Sequence, residues 1–145
     1  TDMVHVPYKA VQQAITELIA GQVDVIFDNQ PSIGPHVLAG RVRALAVTGP
    51  AHSIAFPELP TIAEAGVAGY AITTWTAMVA PKGVSSAIIT RLNAGIAQAC
   101  AALRPKLEAT GQECATKSPV EFARFVKDEQ AKWGDIVRKS GAKVD

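Results

Sequence analysis

"MVHVPYKAVQQAITELIAGQVDVIFDN", residues 3–29, decides the fold class. Residues 3–8 form a short apolar run that stops at Pro7 and reads as a buried strand. Val11, Ala14, Ile15, Leu18 and Ile19 follow at i, i+3, i+4, i+7 and i+8, the stripe of a helix that faces a core. Gly21 stands where such a helix ends. "VDVIFDN" (23–29) then reads as a second strand. Beyond it, "PSIGPHVLAG" (31–40) predicts a short helix between Pro31 and Gly40, and "VRALAVTG" (42–49) a third, almost wholly apolar strand. Strand–helix–strand–helix–strand over this length is the pattern of an α/β protein, and the nearly continuous apolar strands predict a mainly parallel sheet covered on both faces.

Downstream, "PAHSIAFPELP" (50–60) reads as an irregular loop, and "TIAEAG" (61–66) carries a capping box, Thr61 with Glu64. "YAITTWTAMVAP" (70–81) is long for one strand and changes character midway, so a crossover between two lobes is expected there. A helix is expected from Ser85 to Ala102, with Pro105 interrupting it and starting a shorter helix that ends at Gly111. "SPVE" opens the last helix, with Ser118 at the N-cap, Pro119 behind it and Glu121 at the third position, and Gly141 ends it. The expected organisation is therefore one lobe over residues 1–72, a crossover strand and helices of the other lobe over 73–117, and a C-terminal helix and tail over 118–145.

Composition narrows the function. With 145 residues, 48% hydrophobic and 19% charged, the chain can build a core. A formal net charge of +1 and scattered cations argue against a nucleic-acid partner. No apolar stretch is long enough to span a bilayer. The chain starts at "TDMVHVPYK", without an initiator Met, and is expected to be a piece of a longer protein. His5, His36 and His52 share no metal-ligand spacing, and no metal or cofactor is implied. No GxSxG, GxGxxG or phosphate-loop motif is present. Asp24 and Asp28 share a strand face but stand about 13 Å apart, too far for a carboxylate dyad. An enzyme is not expected. Cys100 and Cys114 fit no zinc or redox spacing. Cys100 reads either as a core thiol or as half of a Cys100–Cys114 disulfide, which an oxidising compartment would permit.

What remains is binding. Ligands of open α/β sheets sit beyond the carboxyl ends of the strands. Two strand ends here are polar, "PYKAV" and "FDNQPS". The helix after "PYK" begins with no Ser, Thr, Asp or Asn to cap it, so a bound carboxylate could accept the N–H groups of Ala10 and Val11, with Tyr8 walling the cleft. The plainer alternative is that solvent caps the helix and Lys9 points into water.

These residues resemble a family. "GQVDVIFDN", "VRALAVTG", "PELPTIAEAGVAGY" and "KWGDIVRKSGAKVD", with further blocks in order between them, look like the carboxy-terminal half of the tripartite tricarboxylate transporter receptors, often called Bug receptors. The resemblance implies a periplasmic-binding-protein-like (type II) architecture of two α/β lobes. Such a receptor closes on a small carboxylate in the manner of a Venus flytrap and delivers it to the permease subunits in the membrane. A signal peptide is then expected upstream, and the location is periplasmic. One of the family's two pincer loops, of "PPGG" type, is not in this sequence. The other matches "PYKAV", where Ala10 and Val11 replace the usual two glycines. The implied ligand-binding residues are Tyr8, Lys9, Ala10, Val11, Asp28, Asn29, Thr74 and Trp75. Asp28 is expected to support the loop unless the ligand brings an amino group. Trp75 is weighed between core and ligand platform. Lobe surface and sheet edges left bare in such a half imply self-association. The runner-up reading is the ligand-sensing domain of a cytoplasmic transcriptional regulator, which shares this lobe architecture.

Overall fold

The computed structural model describes residues 3–141. Four helices are formed: α1 (Val11–Ile19), α2 (Gln30–Leu38), α3 (Ser86–Glu108) and α4 (Pro119–Ser140). The chain divides into two compact units. The first comprises the residues up to Ala77 together with Pro105–Glu113, and the second comprises Met78–Arg104 and the chain from Cys114 onward.

The first unit holds the buried residues. Ile15 is 1% exposed and Ala14 is also buried, so the middle of the α1 stripe faces the core while Val11 and Ile19 at its edges remain accessible. Gly21 closes α1 in the left-handed region at φ 72°. Its N–H donates to Leu18 O at 3.0 Å, and Gln22 N–H to Glu17 O at 2.9 Å. This pair of bonds satisfies carbonyls that the helix end would otherwise orphan. Gly34 of α2 is buried under the Phe56 ring, whose nearest carbon lies 3.5 Å from the place a Cβ would occupy. Phe56 anchors the 50–60 loop in this way. Val47 and Thr61 form an isolated parallel bridge, with Val47 N–H donating to Pro60 O (2.9 Å) and Ile62 N–H to Val47 O (3.0 Å). Ile72 N–H reaches Thr48 O at 2.8 Å.

The mainly parallel sheet expected from the sequence is not assembled among the described residues. Segments 3–8, 23–29 and 70–81 are without regular structure, and of 42–49 only Val47 pairs as a strand residue. A strand is defined by lateral bonds to a neighbour about 4.8 Å away, and apolar patterning supplies the side chains of a strand without supplying that neighbour. Val25, Phe27 and Leu45, each expected inside a covered sheet, are correspondingly exposed. The Thr61–Glu64 capping box forms but leads into turns rather than a helix. Pro105 also behaves differently from expectation: α3 continues through it to Glu108. Proline removes one bond, to Ala101 O, and crowds that carbonyl, a local cost that a helix of 23 residues absorbs.

In the second unit α4 opens as its sequence requires. Ser118 Oγ accepts from Glu121 N–H (3.3 Å) while Glu121 accepts from Ser118 N–H (2.9 Å), and Gly141 ends the helix at φ 67°. The Asn93 amide donates to Lys117 O at 2.9 Å, tying α3 to the approach of α4. Cys100 and Cys114 are joined by a disulfide with Cα atoms 5.6 Å apart. On α3, Ile88, Leu92, Ile96 and Ala99 line an open hollow of about 460 Å³ with Met78.

Closing the loop between residues 100 and 114 restricts the unfolded chain. Reduction, or Cys100→Ser with Cys114→Ser, is expected to cost about 3 kcal/mol, read from denaturant melts with and without reductant. Phe56→Ala is expected to cost about 3 kcal/mol in the same melts.

Candidate functional site

All eight candidate residues lie in the first unit. α1 begins at Ala10, an extended residue (φ −142°, ψ 135°) that offers its helix no side-chain cap. Ala10 O accepts the N–H groups of Gln13 and Ala14 at 3.2 and 3.4 Å. Among the described residues no acceptor meets the N–H groups of Val11 and Gln12, so the open helix start inferred from the sequence is present. The turn before it is tied down from inside. The Tyr8 hydroxyl donates to Glu17 Oε2 at 2.6 Å, which folds Tyr8 back along α1. That hydrogen bond, more than its partial desolvation, raises the phenol above its ordinary value of 10.0. Lys9 is exposed.

α2 begins in a similar way. Asn29 is its N-cap residue by backbone conformation (φ −77°, ψ 139°) and its carbonyl accepts from Ser32 and Ile33 N–H at 3.0 and 3.1 Å. Its side chain does not cap. Asn29 Oδ1 instead accepts the Thr74 hydroxyl at 2.8 Å, across 45 positions of sequence. Asp28 is half-buried beside it: Oδ1 receives a long 3.5 Å bond from the Ser32 hydroxyl, and Oδ2 is buried with no partner among the described residues. Trp75, next to Thr74, is 45% exposed and so is not a core residue. Asn29 and Thr74 are thus brought together, with Asp28 and Trp75 adjacent to them in sequence. Tyr8 is directed to Glu17.

Residues that hold this arrangement escaped sequence reasoning. Gln30, the first residue of α2, accepts the Ser53 hydroxyl at 2.9 Å, and Ser53 Oγ in turn accepts Ala55 N–H at 3.1 Å. Glu17 and Ser53 are ordinary polar residues on a helix face and in a loop, and no spacing singles them out. The open hollow of about 580 Å³ near the end of α2, lined by Val37, Arg41, Arg43, Glu58 and Leu59, includes none of the eight candidates. Among the described residues no group of His, Cys, Asp or Glu side chains is arranged to hold a metal, and no helix is long and apolar enough to cross a membrane.

The loop carrying Ser53 is clamped by His52 and Glu64. His52 Nδ1 lies 3.0 Å from Pro57 O and Nε2 3.0 Å from a Glu64 carboxylate oxygen. A carbonyl and a carboxylate only accept, so both contacts are hydrogen bonds only when the ring is protonated on both nitrogens. The Pro57 carbonyl first, then Glu64, raise His52 above 6.5, with slight desolvation opposing them. Glu64 is lowered from 4.5, chiefly by Thr61 N–H and then by His52.

The starts of α1 and α2 thus both lack a side-chain cap. Residues 1–142 match the model of the tripartite tricarboxylate transporter family receptor. BugT of Bordetella pertussis is 34% identical over 96% of this chain and 43% of its own length. Rpa4515 of R. palustris, solved with adipate, superposes with a TM-score of 0.85 at 36% identity, over 94% of this chain and 46% of that one. MatC of Rhodopseudomonas palustris, solved with malate, gives 0.80 at 30% identity over 94% and 48%. The chain belongs to the tripartite tricarboxylate transporter receptor family, the Bug receptors. It spans a little under half the length of each of these relatives.

The clamp has a defined pH window. A raised imidazole contributes stability that is complete below 6.5 and lost as pH climbs through the higher folded value. A lowered carboxyl contributes stability that is complete above 4.5 and lost as pH falls through the lower folded value. The stability difference between wild type and His52→Gln should therefore be greatest between 4.5 and 6.5 and should shrink on either side, in thermal melts across pH.

Proposed function

We propose that this chain forms about half of a periplasmic receptor that captures a small carboxylate between two lobes and passes it to the permease subunits of a tripartite tricarboxylate-type transporter, without catalysis. The observation that carries the reading is the start of α1. Ala10 provides no cap, the N–H groups of Val11 and Gln12 have no acceptor among the described residues, and Tyr8 is braced against Glu17 so that the turn is held in shape before any ligand arrives. Oriented N–H groups at a helix start suit an anion through both hydrogen bonding and the helix dipole. Family membership supports the receptor role, and relatives solved with adipate and with malate support a carboxylate as the ligand class.

Ala10 and Val11 each add a Cβ where the family usually has glycine, which keeps the backbone slightly farther from the ligand. Asp28 and Asn29 serve the floor of the site, Thr74 holds Asn29, and Lys9 and Trp75 border it. Asp28 Oδ2, buried without a partner among the described residues, would repel a plain carboxylate but accept from a hydroxyl or ammonium group. A hydroxy- or amino-substituted acid thus gains a bond that a simple diacid lacks.

Thermal-shift screening of the full-length protein against adipate, malate and amino diacids tests this reading. A binding acid at a hundredfold its Kd should add about 2.7 kcal/mol to stability, and the corresponding diamide should add nothing. A protein that no carboxylate stabilises is not such a receptor. Asp28→Asn should narrow the preference for substituted over plain acids by roughly tenfold in Kd, measured by calorimetry.

A further inference from the structure

Gly111 is not adjacent in sequence to any candidate residue, yet it lies against the first residue of α2. A Cβ placed on it would fall 1.6 Å from Gln30 Oε1 and 2.7 Å from Gln30 Cδ, distances real side chains do not adopt, and a tight 3.1 Å from Gln30 Cβ. Gln30 passes through that space to accept the Ser53 hydroxyl at 2.9 Å. Ser53 belongs to the loop that Phe56 and the His52–Glu64 pair hold in place. Gln30 directly follows Asn29 and is the first residue of the helix whose start carries Asp28, Asn29 and the Asn29–Thr74 bond. Gly111 and all these residues belong to the same compact unit.

We propose that Gly111 is a positioning residue for the ligand site: its missing Cβ leaves the channel through which Gln30 reaches Ser53, and that bond sets the first turn of α2 where Asp28 and Asn29 meet the ligand. The proposal rests on the receptor reading above for the word ligand, but the mechanical link stands on distances alone. A simpler explanation of the glycine also exists. Gly111 has φ 73°, with its N–H on Glu108 O and Gln112 N–H on Leu107 O at 2.9 and 3.0 Å, the ordinary ending of a helix. Backbone conformation and side-chain clearance make different predictions, because asparagine tolerates the left-handed region but carries a Cβ.

The test compares Gly111→Ala and Gly111→Asn with Gln30→Ala and Ser53→Ala in the full-length protein. Two readouts are used: hydrogen exchange of the Ser32 and Ile33 amides, which bond Asn29 O, and calorimetric Kd for adipate and malate. Both Gly111 variants should speed exchange at these two amides by roughly fivefold and weaken binding of whichever acid the wild type takes by a similar factor. Gln30→Ala should do the same alone, and adding Gly111→Asn to it should change nothing further, since one path cannot be cut twice. Unchanged exchange in Gly111→Asn, or a fully additive double variant, overturns the proposal, as does an effect of alanine that asparagine lacks. If the Gly111 variants do not fold, Ser53→Ala decides, because it breaks the same bond from the far end without touching a glycine. If the wild type binds neither acid, the receptor reading fails separately, and the exchange comparison still decides whether Gly111 sets the turn.

Discussion

The side-chain oxygen of Asn29 can accept either an N–H of its own helix or the hydroxyl of Thr74, and it accepts the hydroxyl. Much of the first unit follows from that choice. A capping asparagine normally steadies its helix from within. Here α2 must be steadied from outside, and three contacts provide it: Thr74 on Asn29, Ser53 on Gln30, and the Phe56 ring on Gly34. Each comes from a segment without regular structure, so loops supply the order that a cap would have supplied locally.

The same arrangement explains why the 50–60 loop needs its own fastening. A segment that buttresses a helix start must itself resist fraying, and irregular chain on a surface is ordinarily mobile. Phe56 contributes buried apolar area, and His52 adds hydrogen bonds to both Pro57 O and Glu64. Glu64 closes the capping box with Thr61, whose buried hydroxyl accepts Glu64 N–H and is thereby satisfied. Val47, paired with Thr61, extends this fastening to the segment that follows α2. The anchoring is polar at its rim and apolar at its centre, with Ile15 and Ala14 of α1 among the most buried residues of the unit.

The helices were the most legible part of the chain. The glycine stops at Gly21 and Gly141 and the Ser118–Glu121 box are local, and local physics settles them. The α3 ending was misjudged, because a single proline lowers helix stability without forbidding a helix held at both sides of it. The strands were legible only as composition. Residues 3–8, 23–29 and 70–81 have the side chains of a covered sheet, but regular strand pairing does not form in them among the described residues. The candidate site divides the same way. The uncapped start at Ala10 was evident from residue types alone, whereas Glu17, Gln30, Ser53 and Gly111 became visible only as partners.

Sequence alone determined which segments are helical, where α1 and α4 start and stop, and that the start of α1 would lack a cap, since each of these depends on residues within a turn or two of one another. Family membership was also written in the order of its sequence blocks. Only the tertiary structure decided where Asn29, Gln30 and Tyr8 direct their side chains, because their partners, Thr74, Ser53 and Glu17, are set by how distant or oppositely facing segments pack. A hydrogen bond across 45 residues leaves no periodicity to read: its energy is local in space and its cause is spread along the chain.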